Sequence, residues 1–327
     1  MFRWLVFIAA GLTFVVVVVG AYVRLQDAGL GCPDWPGCYG QLVGVPDRSE
    51  DIERAARAFP DRPLEAHKAS KEMFHRYLAG TLGVFLAAIT MIAWLQRRVL
   101  LQSPLLPVAI MAVVMLQATL GMWTVTLLLK PAIVTLHLLG GMATLGMITW
   151  LALRQLSLAP AGDAARRLRP WAGAGLGIVV CQIALGGWVS SNYAALACPD
   201  FPACRGAWVP AMDFSHGFQF VRELGMTAAG APLAPEALTA IHWTHRLGAL
   251  LTLIYVGVLA IVLVRTKGFA RHGAILAFLL ALQVGLGIAN VVAGLPLAVA
   301  VSHNAAAAAL IVMLTVINFA LSPRNPA

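Results

Sequence analysis

The sequence predicts an all-α polytopic membrane protein in which eight transmembrane helices form two pseudo-symmetric four-helix bundles. Three observations lead there. Of 327 residues, 60% are hydrophobic and only 11% charged, against roughly 25% charged in soluble domains, an apolar excess that one water-soluble core cannot hide. Stretches of about 20 apolar residues, enough to cross ~30 Å of hydrocarbon as helix, occur eight times. The first half of the chain also repeats in the second.

The spans fall at 4–23, 73–95, 105–128, 132–153, 171–190, 240–264, 273–293 and 298–321. Leu129-Lys130-Pro131 separates the third from the fourth, and Gly294 to Leu297 the last two, so both pairs are tight helical hairpins. The first span shows no small-residue cleavage site before Arg24 and is expected to stay as helix. Segments 24–70 and 191–238 are the only sizeable extramembrane pieces. Cys198-Pro-Asp-Phe-Pro-Ala-Cys204 repeats Cys32-Pro-Asp-Trp-Pro-Gly-Cys38 at a shift of 166. The same shift maps Gly20 onto Gly186, Gln117 onto Gln283, Gly121 onto Gly287 and His137 onto His303, and a shift of 170 maps His75-Arg76 onto His245-Arg246. The expected division is 1–155 as the amino-terminal half, 156–170 as a cytoplasmic linker and 171–327 as the carboxy-terminal half, the two in the same orientation as in parallel-repeat membrane folds.

The formal charge of +9 comes without long basic runs or an aromatic platform, which excludes a nucleic-acid surface and leaves membrane orientation. Short cytoplasmic loops retain Lys and Arg. Arg3, Arg97, Arg98, Arg154, Arg166, Arg167, Arg169, Arg265, Lys267, Arg271 and Arg324 collect on one side against the single acid Asp163. That side is expected to be cytoplasmic, with both termini inside and both long loops outside, where Asp47, Glu50, Asp51 and Glu53 offset the bases.

Four histidines stand in spans, His75 and His245 opening the second and sixth, His137 and His303 early in the fourth and eighth. All four are near the outer face. Imidazole is costly in hydrocarbon unless it binds something, and two axial imidazoles on facing helices are what a low-spin haem requires. Zinc would recruit three or four ligands with thiolate or carboxylate help, so a pair per half favours haem. Arg76 and Arg246 follow a histidine and either pair with a haem propionate or snorkel to headgroups. Glu72 shares a helix face with His75, and His242 takes its place in the second half. Glu72 is thus either an acid–base group or an exposed helix-start residue. For the cysteines a disulfide in each outer loop is the default, against a redox pair or, less suited by spacing, zinc. Cys181 reads as a small core residue.

Together, Gly29-Leu-Gly-Cys-Pro-Asp-Trp-Pro36, Glu72-Met-Phe-His-Arg76, His137, His245-Arg246 and His303 resemble the haem A synthase family, over the whole chain. The resemblance implies an eight-helix oxidoreductase of a bacterial cytoplasmic membrane that oxidises the methyl group of haem O to the formyl group of haem A, for terminal oxidase biogenesis. It implies that His75 and His137 serve the substrate haem, that His245 and His303 hold a resident haem b, and that Glu72 acts in catalysis. Cys32 and Cys38 match the family's outer-loop pair, whereas Cys198 and Cys204 are not a feature of every member. A haem O synthase and the assembling oxidase are the expected partners, and the electron acceptor is not visible. An apolar farnesyl tail suits a lipid-facing cleft in the amino-terminal half. Two other classes fit parts of the sequence. A di-haem b-type electron-transfer cytochrome needs the histidines but not Glu72, and a membrane thiol oxidase needs Cys32 and Cys38 but not the histidines.

Overall fold

The computed structural model describes residues 1–100, 102–156 and 161–323. Arg324 and part of the expected 156–170 linker lie outside the described residues. Among these residues the chain is helical, with no strand beyond isolated bridges. The elements are α1 (Phe2–Leu25), α2 (Ser49–Ala58), α3 (Ala66–Leu95), α4 (Arg97–Leu100), α5 (Leu105–Thr126) and α6 (Pro131–Leu153), then α7 (Asp163–Arg166), α8 (Arg169–Ser191), α9 (Phe214–Gly217), α10 (Pro235–Arg265), α11 (Ala270–Val292) and α12 (Leu297–Leu321). Eight of them, α1, α3, α5, α6, α8, α10, α11 and α12, are long and apolar enough to cross a membrane, which makes this a multi-pass membrane protein.

Helix α1 packs on α3 and α6, α3 on α5, and α5 on α6. Likewise α8 packs on α10 and α12, α10 on α11, and α11 on α12. Contacts between these two rings run through α6 with α8 and α12, and through α1 with α12. Helix α12 is the most enclosed span. Its Ala306, Ala307 and Ala308 are buried, since small side chains let neighbouring backbones approach where lipid removes any hydrophobic drive for association. At the end that bears the cysteine loops Arg24 donates to the Ser190 carbonyl at 2.8 Å and Tyr193 to Asp27 at 2.5 Å, both pairs 166 residues apart, the offset that relates those loops.

Three expectations need correction. His75 and His245 do not open their helices, because α3 starts at Ala66 and α10 at Pro235. Lys68 and Lys71 lower the hydropathy of the first extension, but its helix continues because Ala69 and Met73 are buried against the disulfide loop. The α10 extension is held through Ile241 against Trp188, Val189 and Ala194. Segment 24–70 is also not all loop, since α2 forms within it. Cys181 is exposed rather than a core residue, because α8 buries Val179 and Ile183 and position 181 falls on the face turned away from its neighbours.

Candidate haem-binding and catalytic site

The four span histidines fall into two pairs of electrostatic neighbours, His75 of α3 with His137 of α6, and His245 of α10 with His303 of α12. Each ring lies edge-on against a glycine of the next helix. A Cβ on Gly20 would stand 3.0 Å from His75 Cε1, one on Gly121 3.3 Å from His137 Cε1, and one on Gly186 or Gly287 3.1 Å from His245 or His303 Cε1. A side chain at any of the four would crowd the imidazole, so the glycines let each ring pack closely against the neighbouring helix. Nδ1 of His75, His137 and His303 is buried without a hydrogen-bond partner among the described residues. Around the second pair stand two amides. Gln182 Nε2 donates to the His245 carbonyl and lies 3.0 Å from its Nδ1, and Gln283 Nε2 lies 3.2 Å from His303 Nε2.

Buried imidazole nitrogens without partners cost free energy unless something is bound. Among the described residues no group of three or more His, Cys, Asp or Glu is placed to hold a metal ion. The donor sets are pairs of imidazoles, which suit the two axial positions of a haem and not a zinc site.

Above each pair lies a disulfide loop, Cys32–Cys38 over the first and Cys198–Cys204 over the second. The loops are built alike. Asp34 accepts the amides of Tyr39 at 2.7 Å and Gly40 at 2.8 Å, and Asp200 those of Arg205 at 2.5 Å and Gly206 at 2.8 Å. Arg76 donates to the carbonyls of Asp34 at 3.0 Å, Pro36 at 3.3 Å and Gly37, and Arg246 to those of Ala203 at 2.8 Å, Cys198 at 3.0 Å and Asp200 at 2.8 Å. Both guanidiniums thus clamp a loop to the helix that bears the adjacent histidine, which replaces the expectation of free snorkelling.

Glu72 differs from its expected alternative as an exposed helix-start residue. It is buried in the second turn of α3, accepts the Cys32 amide at 2.9 Å and pairs with Arg76 at 2.5 Å. His242, at the matching place of α10, is equally buried and donates through Nδ1 to the Ala194 carbonyl at 2.9 Å. The matching positions therefore bond differently, Glu72 to the Cys32 amide of its disulfide loop and His242 to the Ala194 carbonyl that precedes the second loop.

A cytochrome oxidase assembly protein model, COX15-CtaA, matches residues 3–315 of the chain. The chain belongs to the COX15-CtaA family. Among its relatives, the Heme A synthase of Shewanella oneidensis is 40% identical over 324 residues, covering 97% of this chain and 96% of that protein. The Heme A synthases of Caulobacter sp. strain K31 and Caulobacter vibrioides are 30% and 29% identical, each covering 99% of this chain and 96% of the relative.

Within this COX15-CtaA member the glycine cradle and the amide of Gln182 are features that residue chemistry alone did not assign. The glycines were visible only as repeat matches, and Gln182 has Val16 at its repeat position, so no pattern marked it. A cavity of about 590 Å³ runs between α6, α8 and α12, lined by Leu139, Met142, Gly146, Trp150, Ile183 and Ile311. At 3.6 residues per turn these α6 positions lie on the side turned from His137, so this cavity does not open onto the His137 face of α6. In the segment between α8 and α10, Asp213 accepts from Ser215 at 2.7 Å and lies 2.5 Å from His216 Nδ1. The bonds from Ser215 and His216 hold its carboxyl down at about 2. Both partners point at the carboxylate, which caps α9, so the trio is a cap and not a nucleophile relay.

Proposed function

We propose that this protein is the oxidoreductase that converts the methyl group of haem O into the formyl group of haem A, in a bacterial cytoplasmic membrane with both termini inside and the histidine layer near the outer face. The observation that carries this reading is the pair of repeat-related imidazole sites, only one of which has a carboxylate beside it. His75 and His137 bind the substrate haem, and His245 and His303 hold a resident haem b in the carboxy-terminal half. A bound haem b supplies an iron that passes electrons on with little change in geometry, towards an acceptor outside this chain. Each of the two hydroxylations of the substrate methyl takes up one water and gives up two electrons, to the acceptor outside this chain, and two protons; the geminal diol then loses water to give the aldehyde. Glu72, one turn before His75 on the loop side, holds and moves the protons of these steps, and Arg76 fixes its carboxylate. Arg76 and Arg246 act chiefly as loop clamps, which leaves propionate pairing as a secondary role. The family membership and the Heme A synthase relatives support the assignment, with haem O synthase as supplier and the assembling terminal oxidase as recipient.

The test is expression beside a haem O synthase in a host that makes no haem A, followed by chromatography of the extracted haems. Haem A is expected. Haem O alone, from membranes holding the intact protein, refutes the assignment.

A further inference from the structure

The disulfide loops end in apolar tips that none of the described residues covers. In the first, Leu42 is 75% and Val43 79% exposed, beside a half-exposed Trp35. In the second, Trp208 is 70% and Val209 75% exposed, beside a half-exposed Phe201. These residues correspond one to one under the 166-residue shift, so the display is built twice. The tips are not loose. The backbones of Cys38 and Gln41 bond in both directions at 2.8 and 3.1 Å, and those of Cys204 and Ala207 at 2.9 and 3.1 Å, beyond the disulfide and the Asp34 or Asp200 cap.

Their depth follows from helix length. At 1.5 Å per residue α3, with 30 residues, is about 45 Å long and exceeds a ~30 Å hydrocarbon core by half. With the far end of α3 at Leu95, next to Arg97 and Arg98, the core boundary falls roughly 20 residues back, near Arg76. The same measure along α10 from Arg265 reaches His245 and Arg246. The loops are tied to the helices at this level. The Gly44 amide, next to Val43, donates to the Tyr77 hydroxyl at 2.6 Å, and the Phe201 ring lies 5.8 Å from the Arg246 guanidinium. Phe74 and Tyr77 are themselves exposed on α3. Charge is also withheld: residues 35–46 contain none, and 201–212 contain only Arg205, whose Nε donates to the Ala197 carbonyl. Irregular backbone next to lipid must have its polar groups satisfied internally, and Asp34, Arg76, Asp200 and Arg246 do this.

We propose that the two cysteine loops are membrane-inserted fingers, which plant Trp35, Leu42 and Val43, and Phe201, Trp208 and Val209, in the leaflet on the histidine side. The partner is the lipid surface. A docking protein fits less well, because the two tips belong to different rings of helices, and one asymmetric partner would have to cover both. Tryptophan and aliphatic side chains at such a boundary gain from the interfacial zone what they would lose in water. Insertion fixes each loop laterally over its histidine pair.

The test places a photoreactive p-benzoylphenylalanine at Leu42 or Trp208 of the full-length protein in its native membrane, with the same probe at Glu53 of α2 and at Phe278 of α11 for comparison. After irradiation, intact mass reports what each position has captured and whether the disulfides persist. Phospholipid adducts are expected at 42, 208 and 278, and none at 53. Protein adducts at the tips, or silent tips with a reactive position 278, overturn the proposal. Where a probe at 42 or 208 prevents insertion, Val43 and Val209 take it instead, with the same two readings.

Discussion

Replacing Glu72 by Gln separates proton handling from loop support. The carboxylate makes a 2.9 Å bond from the Cys32 amide and a 2.5 Å ion pair with Arg76, and the exposures of the two paired side chains are 13% for Arg76 and 7% for Glu72. Gln keeps a neutral acceptor at the same place. A bond to a charged group is worth about 1.5–3 kcal/mol and a neutral one about 0.5–1.5, so the structural loss is about 1–2 kcal/mol. Arg76 still holds three loop carbonyls, which keeps the cost low. Glu72→Ala removes the acceptor altogether and is expected to cost about 3–5 kcal/mol, as for a buried pair stripped of one member. If Glu72 is the acid–base group, Glu72→Gln lowers turnover by about 10²–10⁴, which corresponds to about 3–5 kcal/mol in the barrier. The assay is haem chromatography per mole of inserted protein, run beside the optical spectrum of the resident haem. Haem O or a hydroxylated intermediate should accumulate while the resident spectrum stays. A wild-type rate in Glu72→Gln, or a rate that falls only in proportion to lost protein, would refute the catalytic role and leave Glu72 as a loop support.

Replacing His245 or His303 by Ala is expected to abolish the resident low-spin b-type spectrum, since one axial ligand leaves the iron weakly held; an unchanged optical spectrum in both variants would refute ligation by this pair. Gly186→Ala puts a Cβ 3.1 Å from His245 Cε1, an overpacking worth about 1–3 kcal/mol. It should shift or weaken the resident spectrum, whereas Gly20→Ala, 3.0 Å from His75 Cε1, should leave that spectrum intact and slow haem O conversion; the opposite pattern would reverse the assignment of the halves. Reporter fusions after Arg98 and after Arg169 should be active only on the cytoplasmic side, and periplasmic activity at either point would invert every loop.

The histidine pairs and the disulfide loops were legible because they repeat. A shift of 166 marks positions that two homologous halves both need, and it marked His137 with His303, Gly20 with Gly186 and the cysteine loops without any structure. What does not repeat was legible only as a difference, as with Glu72 and His242, or not at all. Gln182 beside His245 answers to Val16, and the different bonds at the matching positions, Glu72 to an amide and His242 to a carbonyl, appear in the sequence only as two unlike residues.

The sequence by itself determined the class, the number of spans and which imidazoles are candidates, because hydrocarbon imposes length and apolarity on every span and penalises any polar group within it. Those constraints are local and act residue by residue. The tertiary structure decided where α3 and α10 begin, what Arg76 and Arg246 hold, and why glycine stands at 20, 121, 186 and 287. These are properties of surfaces that meet from distant parts of the chain. A polar helical turn is stable at the head of α3 only because the disulfide loop buries Ala69 and Met73, and a guanidinium finds loop carbonyls about 40 residues away only once the loop has closed over the helix.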